Sequence, residues 1–294
     1  MFKRGPDVKP LLLILILLIG FSSSALASDL QNLPPHYQPL VDRLIKDGFD
    51  KEYVFRLFLD SRTEPIPARL AVSLITREIP EIYTKFLTFE AILLAKSFLR
   101  ENLKTLKEME RRFDVEKEIA VAILLVESRF GENIGRHRVI PTLASMAIMD
   151  STENLLKNYS AIWEMSPEVP FDLIENVASR RANWAYKELK HFLEIVRPEE
   201  MDPLEVYGST AGALGMPQFI PSSYKAYALN KNSFKEWRYD PEGAIFSIGN
   251  YLNAHGWKRG LSMAQQKKLL WHYNRSDPYG ETIVQVAKKI RGKK

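Results

Sequence analysis

The chain has no cysteine among its 294 residues. This absence excludes disulfides, a cysteine nucleophile and a bacterial lipid anchor, which needs a cysteine just after the signal sequence. The sequence also lacks the H-E-x-x-H zinc motif, the G-x-S-x-G serine elbow and both glycine-rich nucleotide loops. Its five histidines show no metal-ligand spacing. We therefore expect no metal and no cofactor.

Charge and composition limit the class of partner. The chain carries 41 Lys and Arg against 36 Asp and Glu, a formal charge of +5. This small excess of positive charge suits a polyanionic substrate or a polyanionic cell wall. No basic run with interleaved aromatic residues is present, so we expect no nucleic-acid partner. With 46% hydrophobic residues the chain can bury a core of one or two domains, and we expect a monomer.

The N-terminus has the pattern of an export signal. A basic start is followed by the apolar run "PLLLILILLIGF" and then by Ala25-Leu26-Ala27 ahead of Ser28. This pattern predicts a cleaved signal peptide over residues 1–27 and a periplasmic location. The alternative is a retained membrane anchor formed by residues 11–27, although the apolar run is short for a bilayer span.

Past Ser28 the periodicity is helical, and alternating β-branched runs are scarce. We expect a mainly α fold with few or no strands: a small N-terminal helical region over residues 28–88 and a larger core over 89–294. The stretch "FLTFEAILLAKSFLRENLKTLKEMERRF" predicts one long helix, and Asp114 is placed as the N-cap of the next.

That next helix carries the first candidate for catalysis. The residues "IAVAILLV", 119–126, are apolar on every side, which is typical of a buried helix. Glu127 follows directly, at the helix C-terminus, where the dipole and partial burial both favour a protonated carboxyl group. Such a group can act as a general acid. The alternative is an ordinary glutamate that reaches solvent and pairs with Arg129.

Two other segments fit a sugar-binding groove. The run "AGALGMPQFIPSSY", 211–224, lies next to Ser209, contains Gln218, and has small residues that would let a ligand approach the backbone. Near the C-terminus, "WHYNRSDPYGETI" brings together aromatic rings with polar tips. Taken alone, a segment of either kind is more often part of a core or a turn than of a binding site.

Together these motifs resemble a known family. The chain is similar to the membrane-bound lytic transglycosylase B family, glycoside hydrolase family 103, from about Ile79 to Ile290. The motifs that carry the resemblance are "AILLVESRFGENIGRHRVIPTLASMA", "DPLEVYGSTAGALGMPQFIPSSYKAYAL", "DPEGAIFSIGNYLNAHGW" and "YNRSDPY", with weaker matches at "YTKFLTFEAI" and "SRRANWAYKELKHFL".

The resemblance implies a lysozyme-like helical core that cleaves peptidoglycan glycan strands without water and leaves 1,6-anhydro-muramic acid. It implies that Glu127 is the single acid and base. The substrate-contacting residues that it implies are Ser209, Gln218, Tyr251, Tyr273, Asn274 and Tyr279, together with Tyr83 and either Arg180 or Arg181. A hydrolytic muramidase and a non-catalytic peptidoglycan-binding protein remain the alternatives.

Two departures from the family pattern stand out. Some members carry a calcium loop where this chain reads "NKNSFKEWRYDPEG", which lacks the spaced ligands of such a loop, so we predict no calcium there. Residues 151–178 also form a longer connection than the pattern needs. That insertion could be a lid, a partner-docking element or an elaborated surface loop.

Overall fold

The computed structural model describes residues 33–65, 79–229 and 233–292. The chain forms two compact units, one up to Thr63 and one from Glu64 onward. The sequence boundary is expected near Thr88, whereas the structure groups residues 79–88 with the larger unit. The predicted signal peptide lies outside the described residues. Among the residues that are described, no helix is both long and apolar enough to cross a membrane.

Residues 33–63 of the smaller unit, the part that the structure describes, contain two α-helices. Helix α1 spans Gln38–Lys46 and helix α2 spans Lys51–Leu59. Asp50 caps α2, because its Oδ1 accepts a hydrogen bond from the backbone N–H of Tyr53 at 2.8 Å. The apolar faces of both helices are buried, as the helical period of the sequence predicts.

The larger unit is built from helices and two very short strands. From residue 79 onward, a 3₁₀ helix, Pro80–Leu87, comes first. The α-helices that follow are α3 Phe89–Glu101, α4 Leu103–Phe113, α5 Lys117–Ser128, α6 Val139–Ala147, α7 Thr152–Met165, α8 Phe171–Val196, α9 Pro221–Tyr227, α10 Phe234–Trp237, α11 Pro241–Ala254, α12 Met263–Tyr273 and α13 Asp277–Arg291. Strands β1, His137–Arg138, and β2, Tyr207–Gly208, pair antiparallel. The prediction of a mainly α fold is confirmed.

Two local predictions are wrong. The long helix expected over residues 86–113 is broken at Asn102, whose side-chain amide donates to the Phe98 carbonyl at 3.0 Å. Asp114 is not an N-cap: it ends α4 in the left-handed conformation, φ 56°, and pairs with Arg259 at 2.6 Å. The cap position of α5 belongs to Glu116. Asparagine and aspartate side chains compete for local backbone groups and so tend to interrupt helices.

Helix α5 is the buried centre of the larger unit. Every residue from Glu118 to Leu125 is buried, as its all-round apolar pattern predicts. Helices α13, α3, α11 and α4 pack around it. Its C-terminal end therefore has a fixed position, which determines where Glu127 lies.

The 151–178 insertion is helical. It forms α7 and the first turns of α8, and Ser151 caps α7 by accepting from the Asn154 N–H at 3.4 Å. The ring of Tyr159 meets that of Phe171 edge-on at 5.1 Å, which joins the two helices. The role of this segment stays a prediction.

Candidate active site

Glu127 lies where α5 ends in a tight turn. Arg129 and Phe130 both have left-handed backbone conformations, with φ of 51° and 60°. Their N–H groups donate back to the carbonyls of Leu125 and Leu124, each at 3.1 Å. The ring of Phe130 stacks on that of Phe98 at 4.3 Å, so the turn is anchored to α3. The half-buried Glu127 side chain thus leaves a well-fixed helix end.

Tyr279 holds the Glu127 carboxyl group. Its hydroxyl donates to Glu127 Oε1 at 2.7 Å, and the tyrosine is only 1% exposed. Burial, followed by the nearby Glu127 charge, raises the pKa of Tyr279 well above its usual value. The hydroxyl therefore keeps its proton at any physiological pH. Ser276 caps α13 by accepting from the Tyr279 N–H at 3.3 Å, which sets the position of the tyrosine.

The alternative in which Glu127 reaches solvent and pairs with Arg129 does not match this arrangement. Arg129 Nε donates to Glu132 Oε2 at 2.6 Å, and both of those side chains are exposed. Glu127 is instead drawn toward α13 by Tyr279. The turn after α5 therefore separates an exposed ion pair from the half-buried carboxyl group.

Tyr279 is one of four tyrosines whose rings contact one another, and we call Tyr83, Tyr251, Tyr273 and Tyr279 the tyrosine cluster. Tyr83 meets Tyr279 edge-on at 6.2 Å, and the Tyr273 ring lies parallel to that of Tyr279 at 6.3 Å. Asn274 donates from Nδ2 to the Tyr83 hydroxyl at 3.5 Å. The structure thus brings Glu127 together with five of the residues that the sequence singles out.

Tyr273 and Tyr251 connect this cluster to neighbouring backbone. Tyr273 donates to the Pro217 carbonyl at 2.5 Å, and Tyr251 donates to the His272 carbonyl at 2.7 Å. Their rings meet edge-on at 4.9 Å. Tyr251 is only 6% exposed, so its hydroxyl is committed to supporting the cluster from below.

The loop of residues 209–220, which we call the wall segment, carries Ser209 and Gln218. Ser209 Oγ accepts from the N–H groups of Ala211 at 3.1 Å and Ala213 at 3.0 Å. Gln218 Nε2 donates to the carbonyls of Ile134 at 3.2 Å and Gly215 at 2.8 Å. These contacts leave the Ser209 O–H as a donor and the Gln218 amide oxygen as an acceptor for a ligand.

The small residues of the wall segment serve the protein core. A Cβ at Gly212 would lie 2.9 Å from the Leu143 side chain, and one at Gly215 would lie 3.0 Å from the Trp237 ring. The expectation that these glycines make room for a ligand is wrong for both, because their open sides face buried neighbours. They allow the wall segment to pack tightly against the rest of the unit.

Arg180 and Arg181 lie side by side on α8, which packs mainly against α6 and α9. Arg180 is exposed, whereas Arg181 is half-buried. Burial lowers the pKa of Arg181 from its usual value. Neither arginine is part of the tyrosine cluster; both stand on the helix next to α9, which follows the wall segment.

Other acidic groups near α5 are engaged elsewhere. Glu116 accepts from Trp257 Nε1 at 2.8 Å, and Glu118 lies 3.2 Å from Lys117 Nζ. Asp114 pairs with Arg259. At 1.5 Å per residue these three lie about 13–20 Å along the helix from Glu127. They are poorly placed to serve as a second acid in one reaction with Glu127.

The interval that we predict to lack calcium is organised by capping. Both carboxylate oxygens of Asp240 accept backbone N–H groups at the start of α11, from Glu242 at 3.0 Å and from Gly243 at 2.8 Å. Within the ranges that the structure describes, no group of three acidic or histidine side chains could hold a metal ion. The absence of calcium stays a prediction, since residues 230–232 lie outside those ranges.

Sequence reasoning missed the backbone carbonyls that position the site. Those of Ile134, Pro217 and His272 accept hydrogen bonds from Gln218, Tyr273 and Tyr251, respectively. It also missed His255, whose ring stacks on Tyr251 at 4.2 Å. Backbone carbonyls carry no residue-type signal, so only the folded chain reveals such partners.

The tyrosine cluster predicts a stability loss in alkali. Burial raises the pKa of Tyr251 to about 12 and holds those of Tyr273 and Tyr279 well above their usual value. Unfolded tyrosines ionise near pH 10, so this contribution is complete below that pH and is lost as pH rises toward the folded pKa values. We expect the Tm to fall from about pH 10 upward. Tyr251→Phe should show a shallower fall by calorimetry, and an unchanged slope would contradict the assignment.

Comparison with known proteins identifies the family of the chain. The family model described as "Transglycosylase SLT domain" matches residues 34–269. The chain is 29% identical over 245 residues to the membrane-bound lytic murein transglycosylase B of Escherichia coli (strain K12), in a match covering 78% of this chain. The chain spans 60% of that relative's length.

Two solved structures share the fold. The E. coli lytic transglycosylase Slt35, in complex with bulgecin A, has a TM-score of 0.66 at 22% identity, covering 87% of this chain and 93% of that one. SltB3 of Pseudomonas aeruginosa, in complex with NAG-anhNAM-pentapeptide, has a TM-score of 0.65 at 19% identity, covering 88% and 80%. The resemblance noted in the sequence motifs is confirmed. Because the family model covers well over half of the chain, this protein belongs to the transglycosylase SLT domain family.

Proposed function

We propose that this chain is a lytic transglycosylase that cleaves the β-1,4 bond from MurNAc to GlcNAc in peptidoglycan and leaves 1,6-anhydro-MurNAc. The observation that carries the proposal is the Glu127 carboxyl group, half-buried at a helix end and held at 2.7 Å by a buried tyrosine. The names of the relatives support it: one is a lytic murein transglycosylase, and another was solved with an anhydro-muropeptide fragment.

In the first step, protonated Glu127 gives its proton to the glycosidic oxygen, and the bond from that oxygen to C1 of MurNAc breaks. The Tyr279 hydroxyl fixes the direction of the carboxyl group, so that the proton points at one place in the groove. The substrate's own acetamido group shares the positive charge that develops at C1.

In the second step, the C6 hydroxyl of the same MurNAc attacks C1 and closes the anhydro ring. The Glu127 carboxylate takes the proton of that hydroxyl and returns to its starting form. No water enters the products, and one carboxyl group suffices, unlike the two-carboxylate glycosidases. This matches the commitment of Glu116 and Glu118 to Trp257 and Lys117.

The remaining residues bind the glycan. Ser209 offers a hydroxyl donor and Gln218 an amide acceptor, which suits sugar hydroxyl and acetamido groups. Asn274 adds an amide, and Tyr273, the half-buried member of the tyrosine cluster, supplies a ring. Arg180 or Arg181 would meet the anionic parts of the polymer.

The partner that we expect is the glycan strand of peptidoglycan, in the periplasm, with the protein acting as a monomer. Other cell-wall proteins are potential partners. Export by cleavage of residues 1–27, or retention by an anchor over residues 11–27, stays a prediction.

Digestion of purified sacculi followed by mass spectrometry tests the proposal. A lytic transglycosylase releases anhydro-muropeptides, whereas a hydrolytic muramidase releases reducing ends that are heavier by one water. A non-catalytic binding protein would release nothing above the buffer control. Either of the last two results would contradict the proposal.

Tyr279→Phe tests how Glu127 is held. The change keeps the buried ring and removes only the hydroxyl that donates to Glu127 Oε1. A lost hydrogen bond to a charged group corresponds to about a ten- to hundredfold fall in kcat, with little change in KM. Tyr207→Phe is the matched control, because that tyrosine donates to Glu205 at 3.3 Å outside the cluster. An unchanged kcat in Tyr279→Phe would remove Tyr279 from the mechanism.

A further inference from the structure

Glu188 is a buried charged group that the proposed mechanism does not use. It lies on α8 and is only 4% exposed. Its Oε2 accepts from the backbone N–H of Ser222 at 2.8 Å, and its Oε1 accepts from the Ser222 hydroxyl at 2.8 Å. Burying a carboxylate is costly unless strong hydrogen bonds compensate, so the two groups hold each other in one arrangement.

Ser222 lies at the junction between the wall segment and α9. It belongs to the first turn of α9, which begins at Pro221, directly after the wall segment. The wall segment is also tied by the pairing of Leu214 with Phe219 and by Met216 N–H to the Arg238 carbonyl at 3.0 Å. The contact with Glu188 fixes the position at which the segment leaves the groove.

Helix α8 carries a second feature on the same face. Arg181 precedes Glu188 by seven residues, or two helical turns, which places both on one face about 10 Å apart. Helix α8 thus carries both the half-buried Arg181 and Glu188, whose contact with Ser222 we call the clamp.

We infer that Glu188 is a positioning residue: by clamping Ser222 it sets the wall segment, with Gln218 and Ser209, at the distance that binds the glycan. Glu188 acts through Ser222 and does not touch substrate. The inference rests on the proposed function. It assigns Glu188 to glycan affinity and leaves the proton transfer to Glu127 on α5, which Tyr279 on α13 orients.

The test is Glu188→Gln, which keeps the side-chain shape, removes the charge from both hydrogen bonds and leaves one oxygen acceptor, so that the Ser222 hydroxyl must turn to accept from the new amide. We expect KM for soluble oligomers of alternating GlcNAc and MurNAc to rise about tenfold, with kcat within about threefold of wild type. A merely structural role would lower the Tm and the active fraction, and hence the apparent kcat, while leaving KM unchanged. That second pattern overturns the inference.

Glu194→Gln is the matched control. Glu194 lies on the same helix and pairs with Lys225 of α9, so it links the same two helices at an exposed site away from the wall segment. This variant should keep the wild-type KM, and an equal rise in both variants would contradict a specific clamp. Ser222→Ala removes only the hydroxyl and should give a smaller rise than Glu188→Gln.

Hydrogen exchange separates this inference from the proposed function, because it needs no activity. In Glu188→Gln, the amides of Leu214, Met216 and Phe219 should exchange about tenfold faster than in wild type, and in Glu194→Gln they should not. If Glu188→Gln exchanges faster but the wild-type protein cleaves no peptidoglycan, the positioning role of Glu188 is supported and the proposed activity is rejected. Unchanged exchange in an active enzyme would reject the clamp alone.

Discussion

Glu127→Gln should lower the release of anhydro-muropeptides from sacculi by at least about a thousandfold, since one group supplies both proton transfers. Glutamine has the same shape and its amide oxygen can still accept from Tyr279, whose hydroxyl lies 2.7 Å from Glu127 Oε1. The fold and the binding of glycan should therefore survive. The readouts are product mass spectrometry, the Tm and binding of glycan oligomers by calorimetry.

The control for this variant is Glu132→Gln. Glu132 lies five residues further along, is exposed and pairs only with Arg129 at the surface. Exposed pairs of this kind contribute little, so activity and Tm should stay near wild type. If Glu127→Gln retained near-normal activity while Glu132→Gln did not, the assignment of the acid would be wrong.

The sequence predicts the burial of α5 well, because local chemistry determines it. An apolar run too long to have a polar face must be buried, so the position of Glu127 at its end follows from the period alone. The positions of Tyr273, Asn274 and Tyr279 follow from a motif whose turn, capped by Ser276, brings them to one place. The mainly α class follows in the same way.

The parts that sequence reasoning misses depend on tertiary contacts. The helix breaks at Asn102, where the side chain donates a hydrogen bond to the Phe98 carbonyl. The helical periodicity of the sequence continues on both sides of this residue, so the pattern does not show the break. The clamp joins residues 34 positions apart, and nothing about Glu188 on a helical face marks it as buried. The glycines of the wall segment correctly predict that another group lies close to the backbone there. Only the structure shows that this group belongs to the protein itself and not to a ligand.

Because different elements position Glu127 and the wall segment, a substitution can disturb one of them and leave the other in place. The carboxyl group is positioned by α5 and α13, and the wall segment by α8, α9 and strand β2. A variant that disturbs the second set should leave the acid intact and still reduce activity. The turn that joins the two sets is therefore a sensitive place for a substitution.

Gly135→Ala is such a substitution, and we expect it to have the largest effect on stability. Gly135 has a φ of +107°, and a Cβ there would lie 2.0 Å from the carbonyl carbon and oxygen of Gly208. That backbone belongs to β2, which pairs with β1 and leads into the wall segment. Backbone cannot move aside as a flexible side chain can, so the strand pair must separate.

Gly135→Ala should lower the free energy of unfolding by about 3 kcal/mol or more. The loss combines the strain of a left-handed alanine with the overlap between its Cβ and the Gly208 backbone. For a protein of this size it corresponds to a fall in Tm of about 6–12 °C, measured by calorimetry. Gly256→Ala is the control, because its φ is +93° and a Cβ there would meet nothing within 4 Å. Gly256→Ala has the same left-handed strain but no overlap, so its free energy of unfolding should fall by only about 1 kcal/mol. Equal losses would mean that the contact between Gly135 and Gly208 does not hold the strand pair together.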